Sequence, residues 1–122
     1  MATKIPAAHV RLKRAYDPPA DGDGLRILVD RLWPRGLAKD KAALDGWMKD
    51  VAPSTDLRKW FGHDPARWQE FRQRYHAELR DQPALDQLHD LAAAHTVTLI
   101  YSARDPDHNQ AVVLRDLLTG AA

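Results

Sequence analysis

Leu25-Arg26-Ile27-Leu28-Val29-Asp30-Arg31-Leu32-Trp33-Pro34-Arg35-Gly36 begins as a short apolar run and ends as a polar loop. The run Leu25 to Val29 reads as a buried strand. Pro34 pushes Trp33 away from helical dihedrals, and Gly36 is free to take φ > 0. The strand therefore ends in a shaped loop that carries two guanidinium groups. A second strand, Thr96 to Tyr101, leaves in the same manner, into Ser102-Ala103-Arg104-Asp105-Pro106-Asp107-His108-Asn109. In α/β proteins ligands bind at the carboxyl ends of strands. Two arginine-bearing exits predict one anion site, with the exits side by side on one sheet edge.

Working outward, Val10 and Leu12 alternate with Arg11 and Lys13, the pattern of a half-exposed strand. The connection Asp17 to Gly24 reads as a loop, and it is short for a parallel crossover, which usually needs about a dozen residues. That favours a first strand antiparallel to the second. Lys39 to Gly46 is a short helix candidate, and Trp47 to Ala52 a short strand candidate closed by Pro53. Ser54 is an N-cap for a helix over Thr55 to Phe61, ended by Gly62. Asp64-Pro65 is a helix start. Trp68, Phe71, Tyr75 and Leu79 then share one face, as core residues rather than ligand contacts. A helix from Pro83 turns Leu85, Leu88, Leu91 and Ala92 inward. A last helix runs from about Asn109 to Leu118, with Gly120 after it. The expected fold class is α/β: one domain over residues 9–120, with a small sheet of about four mostly parallel strands packed with helices. Residues 1–8 read as a flexible tail.

Composition narrows the functional classes. Lys and Arg total 18 against 17 Asp and Glu, a net charge of +1 in 122 residues. A general polyanion binder is expected to be strongly basic. The chain has no cysteine, which excludes thiolate nucleophiles, thiolate zinc sites and disulfides, and is compatible with the expected cytoplasmic location. No apolar stretch approaches the ~20 residues of a membrane span, and none follows Lys4 as a signal peptide would require. The six histidines are scattered, with no His-x-x-x-His in register with an acid, so no metal is expected. There is no Gly-x-Gly-x-x-Gly and no Gly-x-Ser-x-Gly, and no cofactor is expected.

Arg31 and Arg35 can grip a phosphate or carboxylate bidentately, with Arg104 as a third cation and Gly36 shaping the loop. Each could instead be structural, paired with Asp30 or capping a helix. Trp33 can stack on a ligand or wall the core. Ser102, Asp105, His108 and Asn109 lie between a strand end and a helix start, where free backbone N–H groups hold anions. One or another of them can equally be a helix cap. Asp30, His63 and His108 are the candidates for moving protons.

The chain resembles the DUF488 family, in its short, YeaO-like branch. The likeness runs from Val10 to about Leu118. It rests on Arg14-Ala15-Tyr16-Asp17, on Leu28 through Gly36, on Ala52-Pro53-Ser54 and on Leu57-Arg58-Lys59-Trp60-Phe61-Gly62-His63. Trp68, Phe71, Arg74-Tyr75 and Leu99 through Asp105 with His108-Asn109 complete it. The resemblance implies a compact α/β fold and leaves the reaction open. A longer branch places cysteines where this chain has Ser102 and Asn109, so thiol chemistry proposed there does not transfer. The residues fit best an α/β domain that binds a phosphorylated or nucleotide-like anion at the strand exits, with hydrolase or transferase chemistry open. The alternatives are a non-catalytic nucleic-acid- or protein-binding module and a structural protein whose arginines hold an ion network. Oligomeric state is not legible.

Overall fold

The computed structural model describes residues 4–121. Four strands form one sheet: β1 (Val10–Arg14), β2 (Leu25–Leu28), β3 (Gly46–Trp47) and β4 (Val97–Tyr101). Their order is β1-β4-β2-β3, and every pair is parallel. Five helices accompany them: α1 (Lys39–Ala42), α2 (Thr55–Phe61), α3 (Trp68–Leu79), α4 (Pro83–Ala94) and α5 (Gln110–Thr119). The chain is thus a single α/β domain. No helix among the described residues is long and apolar enough to cross a membrane.

β4 lies at the centre, and all five of its residues are buried, as an interior parallel strand requires. Alternation divides the sheet into two faces. Ile27, Val29, Val97, Leu99 and Tyr101 join the main core with Phe61, Phe71, Tyr75, Leu88 and Leu114 from the helices. Leu28 and Ile100 point the other way, into a smaller cluster with Ala15, Trp33, Leu37, Leu44 and Trp47. The loop after β2 therefore folds back to cover the second face. Trp33 of that loop and Trp47 of β3 meet edge to face, with centroids 5.4 Å apart.

The first strand departs from the sequence expectation. It is parallel to β2, because the two never pair: β4 lies between them, hydrogen-bonded to both. Residues 15–24 must return along one strand and cross two strand spacings of about 4.8 Å each. At about 3.3 Å per residue an extended segment of that length suffices without a helix. This loop is anchored by Asp23, which is 4% exposed and pairs with Arg26 at 2.6 Å and with Lys13 at 3.1 Å. Arg26 is equally buried inside β2 and also donates to the carbonyls of Ala42 and Ala43. Gly24 closes the loop with φ +62°, where a Cβ would stand 2.1 Å from the Thr96 carbonyl oxygen.

Other boundaries shift for local reasons. α1 stops after one turn because Ala43 takes a left-handed conformation at φ 50°. β3 is only Gly46–Trp47, and a 3-10 turn over Lys49–Val51 replaces the rest of the expected strand. The Tyr75 hydroxyl donates to the Val51 carbonyl beneath that turn, and burial lifts its pKa well above 10.0. α3 starts at Trp68 after a 3-10 turn over Pro65–Arg67 capped by Asp64. Part of the segment read as a tail, residues 1–3, lies outside the described residues. Within the rest, Ile5 is 3% exposed and its N–H donates to Leu118 O at 2.9 Å.

Candidate functional site

The exits of β2 and β4 meet at Asp30. One of its carboxylate oxygens accepts from the Ser102 N–H at 3.0 Å, and the other accepts from the Gln110 side-chain amide. Its carbonyl accepts from Trp47 Nε1 at 2.7 Å. Asp30 is 8% exposed. Burial raises its pKa above 3.8, although the bonds from Ser102 and Gln110 and the charge of His63 pull it down.

Around Asp30 lies a cavity of about 240 Å³. Its wall from the β2 exit carries Arg31, Leu32, Trp33 and Arg35. Arg31 is partly committed: Nε donates to Pro53 O and Nη2 to Ala52 O, both at 3.1 Å. It does not pair with Asp30. A guanidinium has five N–H donors, so others remain for the cavity. Arg35 is exposed, and its side chain has no hydrogen bond or ion pair among the described residues. Trp33 is a wall of the second core: Nε1 donates to Leu37 O at 2.7 Å and the ring packs on Trp47.

α2 supplies the second wall. Ser54 caps it through Leu57 N, and Ser54 is itself held by Glu78 of α3 through its N–H and its hydroxyl. Arg58 and Phe61, three residues apart, share the face toward the cavity. Gly62 and His63 both take left-handed dihedrals, φ 54° and 58°, which turns His63 back to line the cavity. A non-glycine residue in that region is uncommon, with histidine among those that tolerate it. Its imidazole has no hydrogen bond among the described residues and sits 6.3 Å from the Phe61 ring.

The β4 exit supplies the third wall, Ser102, Ala103, His108, Asn109 and Gln110. Arg14 fixes it by donating to the carbonyls of Ser102 and Ala103. His108 Nδ1 lies 2.8 Å from Asp105 Oδ2, and its ring meets Trp68 edge to face at 5.2 Å. The N–H of Asp107 and the bonds to His108 hold the Asp105 carboxyl below 3.8. Asn109 is the N-cap of α5, accepting from Val112 N, and is 2% exposed.

Asp30, Arg31, Trp33, Arg35, His63, Ser102, His108 and Asn109 thus come together. Asp105 lies behind His108, whereas Gly36 and Arg104 do not line the cavity. Sequence reasoning missed Arg58, Gln110 and Leu32, and it placed Phe71 wholly in the core, where its 2% exposed ring also floors the cavity. The i, i+3 spacing of Arg58 and Phe61, just before Gly62-His63, was a usable signal. Among the described residues no group of three or more His, Asp or Glu is placed to hold a metal.

Fold and site together define a small parallel α/β domain with a cation-lined cavity at the carboxyl edge of its sheet. The chain belongs to the DUF488 family: the family model described as "Inactive DUF488-N3 subclade" matches residues 9–122. It is similar to "Uncharacterized protein YeaO" of Escherichia coli (strain K12), 46% identical over 111 residues, which covers 90% of this chain and 96% of that one. It is also similar to "Uncharacterized protein Rv3073c" of Mycobacterium tuberculosis (strain ATCC 25618 / H37Rv), 44% identical over 111 residues, with coverage of 91% and 94%. No solved structure matches the chain.

Proposed function

We propose that this domain binds a phosphorylated, nucleotide-like small anion at the exits of β2 and β4 and does not turn it over. One observation carries the reading. Arg31, Arg35 and Arg58 line a single cavity with His63, and the carboxyl group lining it, Asp30, already accepts hydrogen bonds on both oxygens. The local charge is strongly positive in a chain whose net charge is only +1. Several guanidinium groups suit a phosphoryl group, which they can hold through paired N–H donors.

Two features support binding without turnover. Asp30 is committed to Ser102 and Gln110, and His108 to Asp105 and the edge of Trp68. Asp30 is thereby tied into the scaffold between the two strand exits, whereas His108 Nε2 makes no hydrogen bond among the described residues. The matching family model is described as inactive. A hydrolase or transferase would have to work with the imidazoles of His63 and His108. A cytoplasmic domain is in keeping with the cysteine-free sequence. A nucleic-acid face is the weaker reading, because the outward cations Arg67 and Arg74 are already paired with Asp64 and Glu70 and lie against Trp60.

Melting curves with inorganic phosphate, sugar phosphates and nucleoside monophosphates test the proposal. A saturating ligand at about 100 times its Kd adds about 2.7 kcal/mol to stability, a clear rise in Tm. The rise is expected to shrink in Arg35→Ala and Arg58→Ala, and ³¹P spectra of the mixtures are expected to stay unchanged over hours. Unmoved melting curves contradict binding, and new ³¹P resonances contradict the absence of turnover.

A further inference from the structure

Among the described residues two large hydrophobic side chains stand exposed, Leu32 at 60% and Tyr16 at 44%. Single exposed hydrophobics are ordinary and need no explanation. These two, however, converge on one loop. Leu32 lines the cavity, and the Tyr16 hydroxyl donates to the backbone oxygen of Arg35 at 2.8 Å. The Arg14 guanidinium lies 5.0 Å from the Tyr16 ring centroid and is itself anchored on the carbonyls of the β4 exit. Tyr16 is therefore held at the carboxyl edge, beside the cation-lined wall. Two exposed apolar side chains thus stand beside Arg35, whose side chain has no hydrogen bond or ion pair among the described residues.

The volume of the cavity decides what this means. About 240 Å³ falls below the roughly 300–1,000 Å³ of pockets that enclose a drug-sized ligand. A phosphoryl group with part of a sugar fits inside, and a ring attached to it must lie outside. The Trp33 ring, packed edge to face on Trp47, is a fixed wall of the cavity itself. Leu32, on that wall, and Tyr16, bonded to the same loop, stand exposed to receive the ring.

We infer that the ligand is a nucleoside phosphate, with its phosphoryl group in the cavity and its base laid on Leu32 and Tyr16. This rests on the anion-binding reading above and adds the base. A base stacked on the Tyr16 ring gains affinity without hydrogen bonds and with little regard to base identity, and the Leu32 side chain adds apolar contact.

The test is calorimetric titration of the full chain with AMP, ribose 5-phosphate and inorganic phosphate. AMP is expected to bind about tenfold or more tighter than ribose 5-phosphate, the usual gain from one stacked base. Leu32→Ser and Tyr16→Ser should bring AMP down to the ribose 5-phosphate level. Binding of ribose 5-phosphate itself should stay within about twofold in Tyr16→Ser, whose side chain does not line the cavity, since surface changes seldom exceed about 0.5 kcal/mol. Tyr16→Phe, which keeps the ring, should keep the preference. A 5′-phosphorylated trinucleotide that binds as tightly as AMP assigns the nucleotide to a nucleic-acid end, and weaker binding assigns it to the free pool. Equal affinity for AMP and ribose 5-phosphate, or a preference that neither serine substitution touches, overturns the inference and leaves the anion site standing. Failure of all three ligands to bind overturns both.

Discussion

The Asp30 carboxylate and the Ser102 amide stand 3.0 Å apart, and this hydrogen bond joins the exits of β2 and β4 across the carboxyl edge of the sheet. It makes one site out of two loops that are 72 residues apart in the chain. Burial of the same carboxyl sets how the site responds to pH.

Burial holds the Asp30 pKa above 3.8, so the folded state keeps this proton to higher pH than the unfolded state does. The stability tied to the protonated form is fully present below 3.8 and is lost as pH rises through the raised folded value. Asp30→Asn cannot titrate. Urea denaturation of parent and variant from about pH 3.5 upward should show the parent losing stability relative to the variant across that window. Parallel profiles would mean that Asp30 titrates as an ordinary surface carboxylate.

Arg31 and its two neighbours in the cavity should behave differently. Arg31→Ala strips hydrogen bonds from the carbonyls of Ala52 and Pro53, a loss of about 1–3 kcal/mol. Arg35→Ala and Arg58→Ala remove exposed side chains with no hydrogen bond or ion pair among the described residues, and should change stability by less than about 0.5 kcal/mol. All three should weaken phosphate binding. Chemical denaturation in the absence of ligand separates them, and equal destabilisation of the three would show that Arg35 and Arg58 hold structure.

Asp23→Ala strands a buried Arg26 guanidinium, 5% exposed at its side chain, and should cost about 3–5 kcal/mol. Burial pushes the Asp23 pKa up, but the Ala20 N–H, Arg26 and Lys13 outweigh it and leave it below 3.8. Its contribution is therefore present above 3.8 and lost as pH falls through the lower folded value. Acid unfolding followed by circular dichroism should show less loss of stability below about pH 4 in the variant than in the parent. An identical acid limb in both would remove the pair from this account.

Phe71 is 2% exposed and stacks on Phe61 at a centroid distance of 4.4 Å. Phe71→Ala should cost about 3–5 kcal/mol. A loss below about 1 kcal/mol in urea would show a site that collapses freely around the missing ring.

The parts of the fold legible in the sequence were those governed by local rules. Ser54 and Gly62 bracket α2, Asn109 and Gly120 bracket α5, and Trp68 to Leu79 keeps one helical stripe, because caps and periodicity act within a few residues. The direction of β1 was not legible, since it depends on β4 arriving between β1 and β2 from more than 80 residues downstream. Arg26 lay within a run read as apolar, and its partner Asp23 within a run read as loop; only their burial together reveals the pair. In the site, the strand exits marked Asp30, Arg31, Arg35 and Ser102. Arg58 and Gln110 come from helices whose orientation toward the cavity is set by tertiary packing. Trp33 shows the limit of composition: its ring served the second sheet face, which the loop must cover.

The most direct test of the central claim is a ¹H–¹⁵N titration of the protein with AMP and with inorganic phosphate. The account predicts perturbed amides clustered in residues 30–35, 58–63 and 102–110, with AMP adding Tyr16 and Leu32, and loss of the perturbations in an Arg35→Ala, Arg58→Ala double variant. Perturbations elsewhere on the surface, or none at either ligand's saturating concentration, would contradict it.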